Sequence, residues 1–185
     1  MKIILYLILG LLAVSCQSGP VQNDIPLVNA DSLVSNLSQY TGKKIKLEGK
    51  IIHVCPVKGQ KMKLLCDNKT IVKIVPADTT ACFEHSWNGK RVSVTGTVQE
   101  IRFSRQYLDS ITSGAAPLCH IDHAPCLDTV WVANMQRQGK AKASLQRDSL
   151  RFHQTMQAQG TDYVSLIVLS ADRIEAGPES TGSGQ

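Results

Sequence analysis

The sequence predicts a mainly β domain with added helices: five strands, with a helical insertion before the last strand. Two observations carry this. Four runs, at 44–55, 61–66, 70–75 and 91–103, are bounded by turn residues, and apolar and polar side chains alternate along them. A stretch at 104–161 with helical spacing then separates the fourth run from a last apolar run at 163–175.

The elements follow in order. Residues 31–37 read as a short capped helix with Leu33, Val34 and Leu37 on one face. Thr41-Gly42-Lys43 turns into the first strand, where Ile45, Leu47 and Ile51 alternate with charged residues, and Gly49 in mid-strand predicts a bulge or sharp bend. Residues 56–60 form a loop containing Gly59, and the second strand carries Met62, Leu64 and Cys66 on one face. Asp67-Asn68-Lys69 is a hairpin signal leading into the third strand. Residues 79–87 read as a short helix, and Asn88-Gly89-Lys90 turns into the fourth strand, with Val92, Val94 and Val98 alternating. In the insertion, 104–110 starts a helical turn that Gly114-Ala115-Ala116-Pro117 breaks, and 128–138 and 142–159 read as helices. Leu145, Ser149, Phe152 and Met156 form a packing stripe on the last of these, and Gly160 is placed to end it. The closing strand is apolar on both faces in its first half.

This order of elements resembles an OB-fold, a five-stranded Greek-key barrel whose first strand bends at a glycine or bulge. More closely, Gly42-Lys43-Lys44-Ile45 through Met62, followed by Gly89-Lys90-Arg91-Val92-Ser93-Val94-Thr95-Gly96-Thr97-Val98, resembles secreted OB-fold lipoproteins of Bacteroidota. These are similar in turn to OB domains that bind tRNA anticodons. The resemblance covers about 45–103 and 162–175, leaves the insertion unexplained, and implies a fold rather than a function.

The termini speak to location. Met1 and Lys2 make a short positive region, and residues 3–14 contain no charge, an apolar run too short to span a bilayer and suited to a signal peptide. It ends in Leu11-Leu12-Ala13-Val14-Ser15-Cys16, which resembles the lipobox of bacterial lipoproteins. That resemblance implies cleavage and lipidation at Cys16, with the chain anchored to a membrane of the cell envelope and facing the periplasm or exterior. Residues 1–16 are then signal and anchor, 17–30 a tether, 31–176 one OB-like domain with its insertion at 104–161, and 177–185 a disordered tail. The domain is roughly 150 residues, enough for a single core. The net charge of +5 is spread along the chain and selects no partner.

The densest chemical signal is the run from Cys119 to Cys126, where Cys119, His120, His123 and Cys126 fall within eight residues and Asp122 and Asp128 add oxygen donors. Thiolate and imidazole suit zinc or another transition metal, zinc being favoured. One tight loop seldom closes a tetrahedron alone, so Cys82, His85 and Cys55 are further candidate ligands. Cys82 and His85 share a face if 79–87 is helical, and His53 lies on the same side of the first strand as Cys55. Cys55 also matches the cysteine-bearing first hairpin of the resembling exported proteins. Lys58 and Lys61 stand where further ligands of that hairpin would be.

The competing use of these cysteines is disulfides, the usual fate outside the cytoplasm. With Cys16 lipidated, Cys55, Cys66, Cys82, Cys119 and Cys126 remain, an odd number, with Cys119–Cys126 and Cys55–Cys66 as feasible pairs. Four of the five histidines lie within three residues of a cysteine, which favours metal; His153 reads as a surface residue. Nucleic acid is not an expected partner, because Lys61, Lys63, Lys69 and Lys73 supply charge but the second and third strands carry no aromatic side chain. Those lysines read as a solvated face. There is no G-x-S-x-G, H-E-x-x-H or glycine-rich phosphate loop, so no catalytic residue is assigned. The sequence therefore predicts an envelope-anchored OB-fold binding lipoprotein that holds a transition metal through a Cys/His loop. The alternative is a disulfide-braced module that binds a peptide, glycan or oligonucleotide. The partners are the membrane, through the lipid anchor, and an unidentified protein or small ligand.

Overall fold

Alternation along the strands becomes a closed interior in the computed structural model, which describes residues 24–67, 69–114 and 116–177. The expected signal segment, Cys16, most of the expected tether and residues 178–185 lie outside the described residues. In β1 (Lys44–Val54), Ile45, Leu47, Ile51 and Val54 are buried, while Lys44 and Lys50 face out. β2 (Met62–Leu65) turns Met62 and Leu64 inward, and β3 (Ile71–Pro76) adds Val72 and Ile74. β4 (Arg91–Ser104) and β5 (Tyr163–Ala176) complete the barrel in the order β1-β2-β3-β5-β4. All neighbours are antiparallel except β3 and β5, which run parallel. This is a five-stranded OB-like barrel with added helices, as the sequence predicts.

Helix α1 (Ala30–Ser35) contributes Leu33, fully buried, to the barrel core, and Asn29 caps it by accepting from the Asp31 N–H at 2.7 Å. Asn36 leaves helical geometry, so Leu37 starts a separate turn, α2 (Leu37–Tyr40), and Val34 is exposed rather than sharing the Leu33 face. The bend expected at Gly49 falls three residues later, in a register shift between Ile51 and His53. Gly49 instead permits a close crossing: a Cβ there would sit 2.5 Å from the Leu65 carbonyl.

The helix expected at 79–87 is a correction. Only a 3₁₀ turn forms, at His85–Trp87, because the Phe83 N–H is drawn off to the Gly59 carbonyl at 2.8 Å. The insertion holds three helices, α3 (Arg105–Thr112), α4 (Thr129–Arg137) and α5 (Ala141–Gln159), the last ended by Gly160 in the left-handed region. β4 pairs with β1 only as far as Thr97, and with β5 as far as Ser104. The resulting two-stranded arm packs on α3 and α5 around a second core of Phe103, Leu108, Leu145, Phe152, Met156 and Val164. Among the described residues no helix is long and apolar enough to cross a membrane.

Candidate functional site

Residues 117–126 fold back as a narrow ribbon. Leu118 bridges Pro125, the Cys119 N–H donates to the Ala124 carbonyl at 2.7 Å, and the Cys126 N–H donates to the Pro117 carbonyl at 2.9 Å. His123 makes the reversal with φ of 57°. This register sets Cys119 and Cys126 on one face as diagonal neighbours.

The ribbon is pinned to the barrel. Ile121 is buried, and the Asp122 carboxylate binds Lys61 directly and Lys73 at 3.9 Å, while accepting from the Cys119 thiol. Burial opposes the Asp122 charge, yet the two lysines hold its carboxyl below the ordinary range. Burial also works against Lys61, but its short contact with Asp122 raises it overall; Lys73 is deeper and farther from the carboxylate, so burial wins and lowers it. The outer lysine face is thus not solvated as expected. Lys73 is buried beneath the insertion, and Lys69, in the β2–β3 turn, stays exposed.

Between the ribbon and the β1–β2 loop opens a cleft of about 330 Å³. His53, Cys55 and Lys61 line it from the barrel, and Cys119, His120 and Cys126 from the insertion. Pro56, Val57, Ile121, Leu127 and Trp131 supply apolar walls, and Asp128 sits at the start of α4, where it caps the helix by accepting from the Trp131 N–H at 2.9 Å. Leu127 and Val130 are 63% and 79% exposed, so apolar surface continues from the cleft mouth onto α4. The His53 and His120 rings meet edge to face at 4.6 Å. Burial, then Lys63, pushes His120 down to about 4 and lowers His53 as well. Burial raises the Cys119 thiol.

The expected ligands divide. Cys55, Cys119, His120 and Cys126 share the cleft, joined by His53. His123 does not: its ring packs against Phe152 at 5.1 Å and Phe103 at 6.1 Å, and burial pushes it down to about 4. Cys82 and His85 are exposed outside the cleft, and without the helix they share no helical face. All five described cysteines are free thiols. Cys55 and Cys66 lie at opposite ends of β2, Cys66 buried in the barrel core, so the expected hairpin clasp cannot form. Among the described residues no three His, Cys, Asp or Glu side chains form a group that could hold a metal ion. Sequence reasoning missed Lys73 and Asp122 as the docking pair. A lysine inside the apolar run Ile71-Val72-Lys73-Ile74-Val75 was the available signal, because a charge there needs a partner.

No protein-family model matches the chain, and none of the curated proteins does. Among solved structures, the chain is similar to Replication protein A of U. maydis, bound to ssDNA, at 23% identity and a TM-score of 0.30. The match covers 40% of this chain and 57% of that one, so this chain spans under two thirds of its length. The barrel assignment stands on strand order and register.

Proposed function

We propose that this chain is an envelope-anchored binding lipoprotein, held to a membrane through Cys16, whose OB-like barrel and insertion grip a small ligand between them. One observation carries the reading. The cleft lies where the β1–β2 loop meets the β4–β5 connection, the two loops with which OB barrels take their ligands. Its volume falls at the small end of the range for ligand sites, and its walls combine apolar surface with a few polar groups.

Trp131 makes this testable. In a Trp87→Phe protein it is the single tryptophan, and energy transfer from it to the apolar dye N-phenyl-1-naphthylamine reports occupancy. Saturable transfer, lost when Val57→Phe fills the cleft, is the expected result; transfer indifferent to Val57→Phe would sink the reading. Anchoring is checked separately by fatty-acid labelling, expected to vanish in Cys16→Ser.

A second reading keeps zinc or another transition metal as the ligand. It is favoured by three thiols and two imidazoles lining one cleft, the ligand types that suit such an ion. It requires the ribbon and the β1–β2 loop to draw together on binding. Elemental mass spectrometry beside a free-thiol count decides it. About one equivalent of metal, lost in Cys119→Ser, supports it; a metal-free protein after reloading, with its thiols intact, removes it.

A further inference from the structure

We infer that the cleft selects a small organic anion, an apolar body carrying one negative group, over neutral and cationic molecules. This rests on the cleft being the ligand site. The register sets His53 opposite Lys63 and Lys63 opposite Lys73, so three basic side chains stand in one rung across the outer faces of β1, β2 and β3. Lys61 stands two residues before Lys63, on the same face, and lines the cleft itself. Two lysines directly opposite each other repel, so this rung is costly unless an anion faces it.

The insertion brings one anion to it. The Asp122 carboxylate reaches Lys61 and Lys73, while Lys63 has no ion-pair partner among the described residues. The carboxylate that lines the cleft, Asp128, caps α4 by accepting from the Trp131 N–H. Lys61 and Lys73 thus share one carboxylate and Lys63 has none, and of the three Lys61 lines the opening walled by Pro56, Val57, Leu127 and Trp131. A cation would enter against this field. An anion with an apolar body satisfies both the walls and the charge.

The experiment compares two dyes of one shape in full-length Trp87→Phe protein: anilinonaphthalene sulfonate, an anion, and neutral N-phenyl-1-naphthylamine. Both are read by energy transfer from Trp131 at low and high salt. The anion is expected to bind about tenfold tighter at low salt, the scale of one charge-assisted contact, with the margin narrowing as salt rises. Lys61→Met is expected to remove that margin, read as the ratio of the two affinities because Lys61 also holds Asp122 and the ribbon. Asp122→Asn, with circular dichroism confirming the fold, is expected to widen it, since the internal carboxylate no longer competes. Lys69→Met, in the distant β2–β3 turn, is expected to change neither. Equal affinity for the two dyes, or Lys61→Met weakening both alike, overturns the inference and leaves the cleft as a neutral site. Failure of both dyes to bind removes the cleft reading as well.

Discussion

Inside the barrel, Leu33, Ile45, Leu47, Met62, Leu64 and Ile74 are fully buried with no charged side chain among them. The insertion is built otherwise. It buries His123 between two phenyl rings and docks through one carboxylate held by two lysines. Hydrophobic burial is indifferent to pH, whereas a buried neutral imidazole and a buried ion pair are not. The barrel is therefore expected to keep its packing as pH falls, and the insertion to be the part whose stability responds.

The largest effect is expected where backbone meets backbone in the barrel. A side chain at Gly96 would strike the Ser170 carbonyl across the β4–β5 ladder, so Gly96→Val is expected to cost more than about 4 kcal/mol and abolish cooperative thermal unfolding. Leu33→Ala is expected to cost about 2–5 kcal/mol and to raise amide exchange throughout the barrel together.

Phe152→Ala tests the other side of the comparison. It removes a buried ring from the second core, a loss of about 3–5 kcal/mol in general. Amides across 105–162 are expected to exchange faster while those of β1, β2 and β3 keep their protection. Uniform acceleration would mean that barrel and insertion unfold as one unit.

Acidification separates the two regions without mutation. His123 is held down to about 4 from an ordinary 6.5, so in that window the unfolded chain binds a proton that the folded chain refuses. The His123 contribution to stability is then expected to fall as pH drops from 6.5 towards 4, and to flatten below. His123→Asn, which tolerates the left-handed backbone, is expected to lessen that slope in denaturant titrations. Asp122, held low, works in a lower window: its contribution is present above 3.8 and is lost as pH falls through its folded value. The smallest effect belongs to Val130→Ser on exposed α4, expected to change stability by less than about 0.5 kcal/mol in the same titrations.

The strands were legible because side-chain period is local. β1 at Lys44–Val54 and β4 at Arg91–Ser104 end within a residue of where alternation stops, and the Leu145, Phe152 and Met156 stripe is buried as its spacing predicts. The stretch at 79–84 was misread because its backbone is claimed from outside, by the Gly59 carbonyl, which no local pattern reports.

The candidate site was legible only by composition. Residue pattern was enough for five strands, a helical insertion and a loop dense in thiols and imidazoles. Tertiary structure alone decided which of those groups meet. It brought Cys55 and His53 to Cys119, His120 and Cys126, and sent His123 into the aromatic core. It also left Cys82 and His85 outside, and set Asp122 against Lys61 and Lys73. The physical reason is range: periodicity and turn chemistry act over a few residues, whereas a cleft between two loops depends on strand register and on how a distant insertion packs back onto the sheet.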